Sequence, residues 1–321
     1  MRGRENGADS VFGLKLRAAN PFWGGDNLQS AMFCGCATAL VTPFRGARVD
    51  YDALENLIDW QLDSDVDALV ILGTTGEPST VTEAERPDII ECAVARVGGR
   101  VPVIVGTGSN DTKTAIRHSV EAQTLGADAL LVVTPYYNKT SRPGLVEHYS
   151  AISEKVDLPI IMYNVPSRTG MNMDADTVAE LARHANLCAV KEASGNLRQL
   201  MDLCAACGEG IALYCGNDDQ VIPAMALGAR GVISVAANVI PRQMRDMASS
   251  WLRGDAGRAL DLQVHWLPLI RALFSEVNPI PVKAALHMMG LIENTLRLPL
   301  MPLEEAKAEA LRRELKRCAL I

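Results

Sequence analysis

Leu187-Cys188-Ala189-Val190-Lys191 runs four mostly apolar residues straight into a lysine. A short unbroken apolar run reads as a strand buried on both faces, as in a parallel sheet. Lys191 then stands at the carboxyl end of that strand. An amine that has lost part of its hydration sheds its proton more readily, and a neutral lysine is a Schiff-base nucleophile. A lysine that merely snorkels out of a strand end fits the segment too. The decision rests on what other chemistry reaches the same place.

Several apolar runs end in groups of that kind. Ala68–Leu72 is followed by Gly73-Thr74-Thr75-Gly76-Glu77, where two hydroxyls and unencumbered N–H groups could hold a carboxylate. Val101–Val105 leads into Gly106-Thr107-Gly108-Ser109-Asn110, an anion cradle or simply a tight turn feeding a capped helix. Ala129–Val133 ends in Thr134-Pro135-Tyr136-Tyr137-Asn138, paired phenols suited to proton transfer or to a subunit interface. Leu158–Tyr163 ends in Tyr163-Asn164-Val165-Pro166-Ser167-Arg168. Tyr163 falls one strand over from Lys191 at the same height. A phenol there can shuttle protons as a carbinolamine forms and collapses. Arg168 is a fork suited to a bidentate carboxylate contact.

The elements that must position these groups follow a rhythm. Strand-like runs occupy Ala37–Val41, Ala68–Leu72, Val101–Val105, Ala129–Val133, Leu158–Tyr163, Leu187–Lys191, Ile211–Cys215 and Val232–Val235, their ends 20 to 33 residues apart. Helical patterns lie between them, with start signals at Asp50, at the Thr82/Glu85 capping box, at Asn110-Asp111 and at Asp174. Strand and helix alternating eight times predict a (β/α)₈ barrel, whose chemistry sits at the carboxyl ends of the strands. An open doubly wound sheet is the competing fold, but no Gly-x-Gly-x-x-Gly follows the first strand. We therefore expect a barrel over 32–236 and a helical appendage over 237–321, interrupted at Asn278-Pro279-Ile280-Pro281. Residues 1–31, polar and turn-rich, are expected to be a disordered extension, with Met32 as an alternative start.

Composition narrows the class. Of 321 residues 48% are hydrophobic, enough for a large core, and the net charge is −7. No basic patch points to nucleic acid, and no apolar run is long enough to span a bilayer. Eight scattered cysteines, several inside apolar runs, fit a reducing, cytoplasmic setting. Cys204-x-x-Cys207 has no second pair at zinc spacing, so no metal is expected.

Gly73-Thr74-Thr75-Gly76-Glu77, Thr134-Pro135-Tyr136-Tyr137-Asn138, Tyr163 to Gly170 and Lys191-Glu192-Ala193-Ser194-Gly195 together resemble the dihydrodipicolinate synthase family. Asn278-Pro279-Ile280-Pro281-Val282-Lys283 and Leu296-Arg297-Leu298-Pro299 extend the likeness, which runs in order from about residue 33 to the end. Single motifs are shared with other pyruvate-dependent class I aldolases. The resemblance implies that Lys191 forms an imine with pyruvate, with no other cofactor. It implies that Thr75 binds the pyruvate carboxylate and that Tyr163, Thr74 and Tyr137 relay protons, Tyr137 in a neighbouring subunit's site. Arg168 would bind the carboxylate of L-aspartate-4-semialdehyde. Ile233, by its backbone, and Gly216 join the substrate-binding set. The implied assembly is a homotetramer, a dimer of dimers. The alternatives are an aldolase for N-acetylneuraminate or a keto-deoxy sugar acid, and a binding barrel without catalysis. Arg168 and the paired tyrosines favour a short acidic acceptor over a polyol.

Two departures stand out. Residues 1–31 have no counterpart in the family. In its lysine-sensitive members the feedback site uses histidines and a carboxylate; the matching positions here are Glu83, Arg86 and Thr114, although Asn110 and Tyr136 are kept, and Pro78 replaces a serine. Feedback by L-lysine is therefore expected to be weak or absent.

Overall fold

The computed structural model describes residues 32–321; the expectations for 1–31 lie outside them. The strands are β1 (Gly35–Ala39), β2 (Phe44–Arg45), β3 (Arg48–Val49), β4 (Ala68–Ile71), β5 (Val103–Gly106), β6 (Ala129–Val133), β7 (Ile160–Asn164), β8 (Leu187–Glu192), β9 (Ala212–Cys215) and β10 (Gly231–Ser234). Eight of them close into a barrel in the order β1-β10-β9-β8-β7-β6-β5-β4, every neighbouring pair parallel. The barrel predicted from the eight apolar runs is thus present. The small antiparallel hairpin β2–β3 has no counterpart among those runs, because two-residue strands leave no periodic trace.

Between the barrel strands run α1 (Tyr51–Asp63), α2 (Glu85–Val97), α3 (Thr112–Thr124), α4 (Arg142–Ser153), the short α5 (Pro166–Thr169), α6 (Ala175–Leu181), α7 (Leu197–Cys207) and α8 (Val221–Ala226). Asp50, Asp111 and Asp174 cap α1, α3 and α6 by accepting backbone N–H groups. Thr82 and Glu85 exchange the reciprocal bonds of a capping box ahead of α2. After the last strand come α9 (Pro241–Leu252), α10 (Ala256–Leu273), α11 (Ile280–Met288) and α12 (Glu305–Arg317). Helix α9 packs on β1 and β10 as the barrel's eighth helix, so the division expected after residue 236 cuts through the last barrel unit. The break between α10 and α11 spans 274–279, overlapping the expected interruption at Asn278 and Pro279, whereas Ile280 and Pro281 open α11. No described helix is long and apolar enough to cross a membrane.

Two separate apolar layers hold this architecture. The outer one fills the space between sheet and helices. The inner one fills the barrel and is rich in alanine: Ala37, Ala39, Ala68, Ala129, Ala189, Ala193 and Ala212. Small side chains leave volume inside the barrel for a few large ones. Phe33 and Tyr214 take part of it, stacked with centroids 4.3 Å apart, and the Tyr214 hydroxyl donates to the Phe33 carbonyl. Ile104, Leu131, Ile161 and Ile233 fill more of it, and Tyr163 and Lys191 lie toward its carboxyl-terminal end.

Candidate active site

Strand alternation decides what faces inward. Ala189 on β8 and Ala193 just past its end lie in the barrel interior, and Lys191 shares their face. Its neighbour Glu192 takes the opposite face, where it is only 2% exposed. Glu192 accepts from Asn164, Gln199 and the Ser194 N–H, so the chain just after Lys191 is pinned. Lys191 itself is 5% exposed. Tyr163 is its register partner across β7–β8, and the lysine nitrogen lies 4.5 Å from the phenol ring centroid. That is a favourable cation–π distance, and it places a phenol against the amine.

A cavity of about 180 Å³ opens above this pair, lined by Lys191, Tyr163, Thr74, Thr75, Arg168 and Gly216 among others. Thr74 and Thr75 belong to a 3-10 turn, Thr74–Gly76, that follows β4. The next residue, Glu77, closes the turn in the left-handed conformation, φ 54°. Its side chain is held in place by a buried ion pair: Lys283 donates to Glu77 Oε1 at 2.6 Å, with both side chains almost wholly excluded from solvent. Lys283 also donates to the Thr42 carbonyl and sits over the Phe44 ring. Burial lowers the Lys283 pKa, and the Glu77 charge opposes that effect. The hairpin β2–β3 contributes Phe44, which also receives the Arg297 guanidinium.

Arg168 lies on α5, exposed, and donates to the backbone carbonyl of Asn278 at 3.1 Å. The Asn278 side chain donates to Thr75 Oγ1 at 2.9 Å. Gly216 explains itself sterically. A Cβ there would lie 2.5 Å from the Ala193 Cβ and 3.1 Å from Lys191 Cε, so only glycine leaves the lysine stem its path.

The structure thus gathers six of the eight sequence-derived candidates around one cavity. The other two stand apart. Tyr137 is 90% exposed, with φ 69°, and does not line the cavity. Ile233 is fully buried in the inner barrel layer and its side chain is not part of the lining. Asn278 stands in the sequence only as part of a motif, and nothing there marks it as a site residue. Its contacts lie 203 and 110 residues away along the chain, a juxtaposition that no local spacing reports.

A second cavity, about 370 Å³, adjoins the first and shares Thr74, Val165, Arg168 and Asn278 with it. Arg86, His118 and Tyr136 line its far side. Arg86 is 3% exposed, donates to the Gly106 carbonyl, and faces Glu121 at 3.8 Å. Burial pushes the His118 pKa below its usual value, assisted by the Arg86 charge. Hydrogen bonding from Arg117 holds the Glu83 carboxyl down to about 2. Among the described residues no group of three or more His, Cys, Asp or Glu side chains is arranged to hold a metal ion.

Known proteins share this sequence pattern and fold. A profile of the dihydrodipicolinate synthetase family matches residues 32–318. A 4-hydroxy-tetrahydrodipicolinate synthase from Alkaliphilus oremlandii is 49% identical over 90% of this chain and all of its own length. The enzyme of the same name from Lachnoclostridium phytofermentans is 50% identical over 91% of this chain and all of its own. The crystal structure of dihydrodipicolinate synthase from Thermotoga maritima superposes with a TM-score of 0.89 at 43% identity, covering 91% of this chain and all of that one. The match runs through every barrel strand and the C-terminal helices, and the chain belongs to the dihydrodipicolinate synthetase family.

Proposed function

We propose that this chain is a Schiff-base lyase that condenses pyruvate with L-aspartate-4-semialdehyde to give 4-hydroxy-tetrahydrodipicolinate, the first committed step of diaminopimelate and lysine biosynthesis. The observation that carries the reading is the buried Lys191 amine set against Tyr163 in a cavity that also presents Thr74, Thr75 and Arg168. Lys191 attacks the pyruvate ketone, and the carbinolamine loses water to leave an imine. Loss of a proton from the methyl carbon gives an enamine, which adds to the aldehyde. The amine of the second substrate then attacks the imine carbon and expels Lys191, freeing the cyclic product.

Each neighbour has a part in this sequence. The Thr75 hydroxyl and the turn around it receive the pyruvate carboxylate. Tyr163, backed by Thr74, carries protons to and from the carbinolamine oxygen. Arg168, exposed at the mouth, takes the carboxylate of the incoming semialdehyde. Gly216 forms part of the cavity wall, and Ile233, outside the lining, is assigned only a backbone contact near the imine. Tyr137, exposed and outside its own cavity, serves the site of a neighbouring copy within a homotetramer built as a dimer of dimers. The imine is formed on the protein's own amine, so the reaction as drawn calls for no added cofactor, and a cytoplasmic setting suits its soluble substrates.

A sugar-acid aldolase is the weaker reading, since the relatives described above carry the synthase name. Incubation with pyruvate and borohydride, followed by peptide mapping, tests the proposal. The expected result is a reduced pyruvate adduct on Lys191, and turnover with the semialdehyde in preference to sugar aldehydes. No adduct on Lys191 would overturn it.

A further inference from the structure

We propose that Asn278 is a positioning residue that aims the Thr75 hydroxyl at the pyruvate carboxylate and ties Arg168 to the same cavity. The inference rests on the reading of Thr75 given above and extends it to the C-terminal region.

Asn278 joins the two carboxylate-binding candidates in one residue. Its side-chain nitrogen donates to Thr75 Oγ1 at 2.9 Å. Its backbone carbonyl accepts from Arg168 at 3.1 Å. The residue is only 6% exposed and borders both cavities. A threonine hydroxyl has one proton and two lone pairs. Because the Asn278 amide fills an acceptor position on Oγ1, the hydroxyl proton is left to donate elsewhere. No described protein atom accepts it, and Thr75 lines the cavity above Lys191. A carboxylate placed there is the missing acceptor.

The opposite amide atom, Asn278 Oδ1, is buried without a partner. Such an atom is normally paired in a folded protein. The same turn is gripped a second time from the C-terminal region, through Lys283 on Glu77. Helices beyond the barrel therefore set the aim of a barrel loop.

Steady-state kinetics and borohydride trapping on the full chain test this, using Asn278→Ala, Asn278→Asp, Thr75→Val and the Asn278→Ala/Thr75→Val double variant. In Asn278→Ala the half-saturating pyruvate concentration is expected to rise about tenfold, the worth of one hydrogen bond. The semialdehyde KM should move little, because the backbone carbonyl that holds Arg168 remains. Asn278→Asp, nearly the same shape, should be worse for pyruvate than Asn278→Ala, because its carboxylate claims the Thr75 proton and repels the substrate. The double variant should be no worse than Thr75→Val alone. Circular dichroism certifies the fold, and Asn278→Asp serves if Asn278→Ala does not fold. Unchanged pyruvate dependence in a folded variant, or multiplicative losses in the double variant, would overturn the assignment. Failure of the parent reading looks different: there the unaltered protein gives no Lys191 adduct at all.

Discussion

Tyr163 and Lys191 are Cα partners across two parallel strands, and the lysine nitrogen rests 4.5 Å from the tyrosine ring centroid. The pair exists because β7 and β8 pair in register at their carboxyl ends and because both side chains fall on the inward face. The alanines around them keep the space from being filled.

Gly216 guards that space. A Cβ at this position would meet the Ala193 Cβ at 2.5 Å and crowd the Lys191 stem and the Glu192 carbonyl at 3.1 Å. Gly216→Ala should therefore displace Lys191 while leaving the barrel folded. Overpacking of this kind costs about 1–3 kcal/mol. We expect kcat/KM to fall roughly tenfold to a hundredfold. Wild-type kinetics in Gly216→Ala would show that the lysine path tolerates the extra carbon.

The Glu77–Lys283 pair is a structural hinge pin for the threonine turn. Removing one partner of a buried ion pair leaves an uncompensated charge and costs about 3–5 kcal/mol. Lys283→Met should lower stability by that order in denaturant unfolding. Glu77→Gln combined with Lys283→Met should recover much of the loss, since no charge is then stranded. Equal losses in the single and double variants would contradict the pairing argument.

Much of this is legible in the sequence, for physical reasons that differ by element. Strands buried on both faces announce themselves as apolar runs, which is why Leu187–Lys191 and Leu158–Tyr163 can be set side by side from residue types and spacing alone. Their edges are less readable. Leu40 and Val41 extend the first run and are buried, yet they lie past the end of β1, although the Leu40 N–H still donates to the Val70 carbonyl on β4. Asn278 is invisible as a site residue because its partners come from distant segments. Tyr137 is legible as an unusual aromatic, and its high exposure accords with a role outside its own cavity.

His148 gives the fold an acid weakness. It is buried on α4, with Nδ1 paired to the Thr112 hydroxyl and Nε2 without a partner. Burial pulls its pKa down to about 4. The unfolded chain, with an ordinary histidine pKa near 6.5, takes up a proton that the folded protein refuses. The contribution is complete above about pH 6.5 and is lost as the pH falls toward 4. It amounts to about 3 kcal/mol at most. Urea unfolding of wild type and His148→Gln at pH 7.5, 5.5 and 4.5 checks this. The stability difference between them should shift in favour of the variant as the pH falls. A difference that stays constant with pH would refute it.

Inhibition by L-lysine should be weak, with half-inhibition above about 1 mM, a binding energy of only about 4 kcal/mol. The positions that matter hold Glu83, Arg86 and Thr114. Glu83 is ion-paired with Arg117, and the Thr114 hydroxyl is given to Asp111. The buried Arg86 guanidinium would oppose a second cation. Assays over a range of L-lysine concentrations decide it, and strong inhibition well below 1 mM would contradict the reading.

Lys191 bears the central claim. The most direct measurement is borohydride trapping with pyruvate on the intact chain and on Lys191→Ala, alongside turnover and circular dichroism. The account predicts a single adduct mapped to Lys191 in the unaltered protein. It predicts none in a well-folded Lys191→Ala, whose turnover is abolished or severely reduced. Near-normal turnover in that variant, or an adduct on another lysine, would contradict it.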